Sequence, residues 1–233
     1  MARVSFRSAT LALRFQNPRR RVSIINVPMK NLVFMPLTPD KWSAFEELFG
    51  SRGACGGCWC MYYRLTRSQF EAQKGNKNRA AMKSIVDSGE VPGILGMAGG
   101  RAIGWCAVAP RPEFSMLERS RILKPLDEEP VWSIVCLFIE KSHRRKGVSV
   151  AMLKAAAEYV RKRGGRIVEG YPVEPKKGDM PDVFAFSGLA SAYRKAGFKE
   201  CLRRSETRPI MRYEIKGKSP EIIGRRRRYK NAK

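Results

Sequence analysis

Histidine occurs once in these 233 residues, at His143, and acids are scarce, with 21 Asp and Glu against 46 Lys and Arg. That lone imidazole sits in a basic run, so a nucleophilic cysteine elsewhere would lack its usual base, which disfavours a covalent cysteine enzyme. No apolar run approaches the eighteen or so residues needed to cross a bilayer. Nor does any segment recur at a fixed period, which argues against a solenoid. The chain also lacks a secretion signal, so reduced thiols in a cytoplasm are the expectation.

With 43% hydrophobic residues, the chain can bury one sizeable core. Its charge is concentrated at the ends. Residues 1–28 carry six arginines and no acid, and residues 216–233 carry eight basic residues against Glu221 alone. Between them 32 basic residues face 20 acidic ones. The division expected is therefore a basic arm (1–28), a folded domain (29–215) and a basic tail (216–233). The arm's composition also suits an organellar transit peptide, or a start placed upstream of Met29, where Met-Lys-Asn-Leu-Val-Phe makes a natural beginning for a first strand. The tail is most simply a solvated segment, although such tails also bind nucleic acid through counterion release.

The most specific local pattern lies at 131–165. A nine-residue, mostly apolar run (131–139) reads as a strand covered on both faces. It leads through Ser142, His143, Arg144, Arg145, Lys146 and Gly147 into a helix with Val148, Met152, Ala155 and Tyr159 on one face. A strand turning straight into a helix presents unpaired amides and the positive end of the helix dipole, which together favour an anion. Gly147 lets a phosphate approach the backbone, and Arg144 can add a bidentate contact. A second pattern, Tyr193-Arg-Lys-Ala-Gly197-Phe198, closes a helical segment (187–196) at a C-cap glycine.

Arg144-x-x-Gly147-x-Ser149 after a buried strand, followed by Tyr193-x-x-x-Gly197-Phe198, resembles the acetyl-CoA-binding core of the GNAT acetyltransferase superfamily, over about residues 31–215. The order of elements agrees: a strand at 31–37, a helix at 39–49 capped by Thr38, and helices at 66–74 and 76–87. A hairpin of 93–97 with 102–109 follows, then a Pro-rich, charged insertion (110–130), the buried strand, its helix, a strand at 166–173, and an antiparallel pair within 199–215 turning near 206–208. The resemblance implies an α/β (α+β) fold. Its central sheet is mixed and mainly antiparallel, of about six to seven strands with a V-shaped splay, flanked by about four helices. Two positions depart from the family pattern. Ser149 stands where glycine or alanine is usual, and Phe186 where many members carry an asparagine that contacts the pantetheine arm.

The activity implied is direct transfer of an acetyl group from acetyl-CoA to an amine of a small molecule or protein. The backbone at Leu137, Phe138 and Ile139 would hold the thioester, and Arg144, Arg145, Lys146, Gly147, Val148 and Ser149 the phosphates. Tyr193 would be the general acid toward the departing thiolate. An amine of pKa about 10 is only about one part in a thousand neutral at pH 7, a deficit of about 4 kcal/mol, so a base is useful. Glu169 is the first candidate, ahead of Glu174 and Glu140, while His143 reads as a loop residue. The net positive body favours an anionic or weakly charged acceptor. A monomer or homodimer is expected. The alternative is a non-catalytic acyl-CoA fold whose basic surface binds nucleic acid.

Three of six cysteines crowd together as Cys55, Cys58 and Cys60 in Gly-Ala-Cys-Gly-Gly-Cys-Trp-Cys-Met-Tyr-Tyr-Arg64. Tetrahedral zinc would need a fourth ligand from Cys106, Cys136, Cys201 or His143, all distant in sequence. No metal is expected. A redox pair and a packed loop remain, the loop taking precedence. Within the resemblance this segment falls on the acceptor wall, which Trp59, Tyr62, Tyr63 and Arg64 would line. Trp59 and Tyr62 could equally pack beneath the loop.

Overall fold

The computed structural model describes residues 31–176 and 180–216. The arm expected at 1–28, and all but the first residue of the tail expected at 216–233, lie outside them. Seven strands form one sheet in the order β1-β2-β3-β4-β5-β7-β6. They are β1 (Val33–Pro36), β2 (Gly93–Ala98), β3 (Arg101–Pro110), β4 (Trp132–Ile139), β5 (Ile167–Gly170), β6 (Lys199–Arg203) and β7 (Pro209–Glu214). Every pairing is antiparallel except β4 with β5. The helices are α1 (Trp42–Phe49), α2 (Arg67–Gln73), α3 (Asn76–Asp87), the single-turn α4 (Ser115–Glu118), α5 (Val148–Lys162) and α6 (Ala190–Ala196). Among the described residues these are six helical segments beside the about four that the resemblance implies, α4 forming inside the insertion.

The sheet is buried on both faces, which is why β4 reads as an almost unbroken apolar run. On one face α1, α2, α3 and α4 pack with Trp105, Val135 and Tyr171; on the other α5 and α6 pack with Cys106, Ile134, Leu137 and Val168. In α5 the buried line runs through Val148, Met152, Leu153, Ala156, Ala157 and Val160. Ala155 and Tyr159, expected on this face, pack against the core half-buried. Thr66 caps α2 with a full capping box. Thr38 does not cap α1: its hydroxyl donates to Asp40 Oδ1 at 2.5 Å, and a 3-10 turn (Pro39–Lys41) precedes the helix.

Two local features part β4 from β5. Their register runs only over Trp132↔Val168, Ser133↔Glu169 and Ile134↔Gly170. Val135 is then bulged, since Ala107 pairs with Cys136 and Val108 with Ile134, and a bulge bends its strand. Two residues past Gly170 stands Pro172, which has no N–H to give a ladder. The strand expected at 166–173 therefore ends at Gly170. The helix expected from 187 likewise begins only at Ala190, because Val173 N–H donates to Gly188 C=O (2.8 Å) and Ala190 N–H to Val173 C=O (2.9 Å), holding this segment extended.

Trp59, 4% exposed, is stacked against Trp42 and Phe49 and tilted onto Phe45. Trp59→Ala is expected to cost about 3–5 kcal/mol in chemical denaturation, as for other buried aromatics. A cost under about 1 kcal/mol would show that the ring is dispensable to the core.

Candidate active site

Antiparallel pairing with β3 alternates the amides of β4, and Glu140 N–H donates to Ile103 C=O at 2.9 Å. The Leu137 and Ile139 amides therefore turn the other way, toward the edge from which β5 has departed. Leu137 N–H is met there by Phe186 C=O at 2.7 Å, so the 3-10 turn Asp182–Ala185 and the residues after it bridge the gap. Tyr193 on α6 is fully buried beside this bridge. Its hydroxyl donates to Ser187 C=O at 3.1 Å, and its ring lies so close to Gly170 that a Cβ there would come within 2.2 Å of Cε1. Burial, with the nearby Cys106, Cys136, Tyr171 and Tyr63, pushes the phenol well above its ordinary range.

At the far end of β4 the chain makes a turn before α5. Gly147 takes φ +78° as the N-cap, a left-handed conformation that glycine adopts without a Cβ clash. No side chain caps α5, and no acid stands in its first turn, so its dipole and first amides face solvent uncompensated. Arg145 (φ +59°), Lys146 and Gly147 are exposed; Ser149 is half-buried and Val148 is buried. Arg144 folds back, its Nε donating to Ile139 C=O at 2.9 Å, which ties the turn to the open strand edge. His143 Nδ1 lies 2.9 Å from Ser142 Oγ, in a loop role. A strand edge with amides turned outward therefore runs into an anion-favouring helix start.

Residues 59–173 match the acetyltransferase (GNAT) family model. The chain carries a GNAT acetyltransferase domain. No curated protein matches the sequence. Solved structures similar to this GNAT domain include PaiA N-acetyltransferase from Thermoplasma acidophilum in complex with coenzyme A (15% identity, TM-score 0.45, 79% of this chain and 99% of that one). An acetyltransferase of the family from Streptococcus agalactiae shares 13% identity over 83% of this chain and 100% of its own, with TM-score 0.49. One from Listeria monocytogenes shares 9% over 79% and 95%, also with TM-score 0.49.

Glu169, expected as the base of this GNAT domain, is 1% exposed and already paired at both oxygens. Oε1 accepts from Tyr171 Oη (2.7 Å) and Arg111 Nη1 (3.1 Å), and Oε2 from Arg212 Nε (2.7 Å). Arg111 reaches on to Glu118 Oε1 (2.9 Å) and Leu123 C=O (2.7 Å), and Arg212 to both oxygens of Asp127. The network thus clamps the 111–127 insertion onto the sheet. Both carboxylate oxygens are thus taken up within the protein by two guanidinium groups and a phenol, in place of the free base expected. Glu174 is paired with Arg194 and Arg203, which hold its pKa down at about 2, and is no better a base.

The acceptor wall expected of Trp59, Tyr62 and Arg64 is reassigned in part. Trp59 belongs to the core, and Arg64, its side chain 6% exposed, pairs with Glu113 Oε2 (3.2 Å) over the Phe114 ring. Tyr62 does reach the surface, edge-on to Tyr63, Phe70 and Phe186. Tyr63, expected on the same wall, is instead buried against Phe186, and burial pushes its phenol up to about 12. The same face holds Arg208, its guanidinium 5.8 Å from the Phe186 ring centre. Cys60, hydrogen-bonded to Cys136 and accepting from Trp105 Nε1 (3.1 Å), has its thiol pKa lowered, while Cys136's is raised by the same contact and by burial. Cys58 instead donates to Gly53 C=O at 3.3 Å, and Cys55 is exposed. Among the described residues, no group of three or more His, Cys, Asp or Glu side chains could hold a metal ion.

Proposed function

We propose that this chain is an acetyl-CoA-dependent N-acetyltransferase, a reading that one observation carries. The edge of β4 from which β5 departs, bridged by Phe186 C=O only at Leu137, runs past Ile139 into the uncapped start of α5, with the Tyr193 hydroxyl beside that edge. The pyrophosphate would rest on the amides of Gly147, Val148 and Ser149, among Arg144, Arg145 and Lys146. The pantetheine arm would lie along Leu137, Phe138 and Ile139, with the Ile139 amide polarising the thioester carbonyl. An amine nitrogen then attacks the carbonyl carbon, the C–S bond breaks, and Tyr193 gives its proton to the departing sulfur. The proton shed by the new amide passes to water, and Tyr193 recovers its own from solvent.

The test is titration calorimetry of the full chain with acetyl-CoA, beside Arg144→Ala combined with Gly147→Glu. Micromolar binding that weakens at least about a hundredfold in the double variant is expected. The introduced carboxylate repels phosphate, and glutamate at φ +78° also strains the turn. Absence of binding by the folded wild-type chain would overturn the reading.

A further inference from the structure

Most arginines on the acceptor face are answered by carboxylates: Arg64 by Glu113, Arg111 by Glu118 and Glu169, Arg203 by Glu174 and Glu200, and Arg212 by Asp127 and Glu169. Arg208 forms no such pair among the described residues. It is half-buried at the turn between β6 and β7, held only through Nη1, which donates to Ser187 Oγ at 2.8 Å and to Tyr171 C=O at 3.4 Å. The ring of Phe186 flanks the guanidinium. Nε and Nη2 make no hydrogen bond to the described residues, and neither is among the buried nitrogens left without a partner, so neither is sealed from solvent. These two N–H groups form the side-on fork of an arginine, which matches the two oxygens of a carboxylate.

The position of that fork gives it a use. Ser187, whose hydroxyl holds Arg208, is the residue whose carbonyl accepts the Tyr193 hydroxyl. Tyr62 and Tyr63 also pack against Phe186. A cation fixed one residue away from the group that would protonate the leaving sulfur can anchor the acceptor but not the phosphates of coenzyme A, which belong at the start of α5. We infer that the acceptor is an amine that also bears a carboxylate, and that Arg208 binds this carboxylate through Nε and Nη2. This rests on the acetyltransferase reading above. It names the acceptor class that the reading leaves open.

The experiment follows release of the coenzyme A thiol by the full chain, with matched acceptors. Free amino acids are compared with their decarboxylated amines, and short peptides beginning with Asp or Glu with their Asn or Gln counterparts. The first set reports a carboxylate beside the amine, the second one on a side chain. In at least one set the carboxylate-bearing member is expected to have the higher kcat/KM by on the order of tenfold to a hundredfold, the worth of a charge-assisted fork. Arg208→Gln should erase that ratio, Arg208→Lys should retain part of it, and both should bind acetyl-CoA in calorimetry as tightly as the wild type. Equal or greater use of the decarboxylated and amide acceptors, or no turnover of any carboxylate-bearing one, would overturn the inference. So would weakened acetyl-CoA binding by Arg208→Gln, which would assign the residue to the coenzyme. Loss of acetyl-CoA binding by the wild type would instead sink the acetyltransferase reading itself.

Discussion

Tyr193→Phe is expected to lower kcat at least about a hundredfold while leaving acetyl-CoA affinity within a few-fold of wild type. The substitution keeps the ring that packs against Gly170 and Phe198, and removes only the hydroxyl on Ser187 C=O. Its cost in stability should be about 0.5–1.5 kcal/mol, that of one hydrogen bond, so a folded variant can be assayed. The sign of the pH effect follows from burial. The folded-state pKa lies well above the ordinary 10, so the phenol keeps its proton through the whole assay range. Tyr193 should then produce no loss of kcat on the alkaline side below about pH 10. A steady-state kcat profile of wild type and variant checks both points, and a Tyr193→Phe enzyme with undiminished kcat would remove the residue from the chemistry.

Glu169→Ala should be among the most destabilising single changes in the domain. It strips the shared partner from Arg111 and Arg212, both largely buried, and the acceptor from the Tyr171 hydroxyl. Breaking a buried pair from one side leaves charge without compensation and costs about 3–5 kcal/mol. For a domain of this size that is a fall in melting temperature of roughly 6–20 °C. Glu169→Gln keeps the shape and two lone pairs, and should lose less. The expected pattern is that activity follows the folded fraction in both variants. A Glu169→Gln protein with wild-type melting temperature and kcat down a hundredfold would instead return Glu169 to the reaction as a base.

How much of this could be read in the chain differs from element to element. The start of α5 was legible because each of its determinants is local: the apolar run of β4, the glycine that turns the chain and the absence of a capping acid stand within twenty residues. The C-cap at Gly197 was legible for the same reason. Trp59 and Tyr62 were not separable, since an aromatic three residues away on one glycine-rich loop suits a core or a cleft equally. Only packing against Trp42 and Phe49 decided it for Trp59.

Glu169 and Arg208 show the other limit. A lone carboxylate on a strand reads as a candidate base until its partners are known, and those partners lie 58 and 43 positions away in Arg111 and Arg212. Arg208 carried no local signal, being one of many arginines in a basic chain; its distinction is the carboxylate it lacks, which shows only once its neighbours Arg203 and Arg212 have been paired in space. The sequence by itself determined the order of elements, the glycine turn and the tyrosine–glycine–phenylalanine close of α6, because backbone preference and hydrophobic period act over a few residues. The tertiary structure alone decided which charges cancel, which aromatics are covered and where β5 leaves β4, because these depend on contacts between segments that the chain keeps far apart.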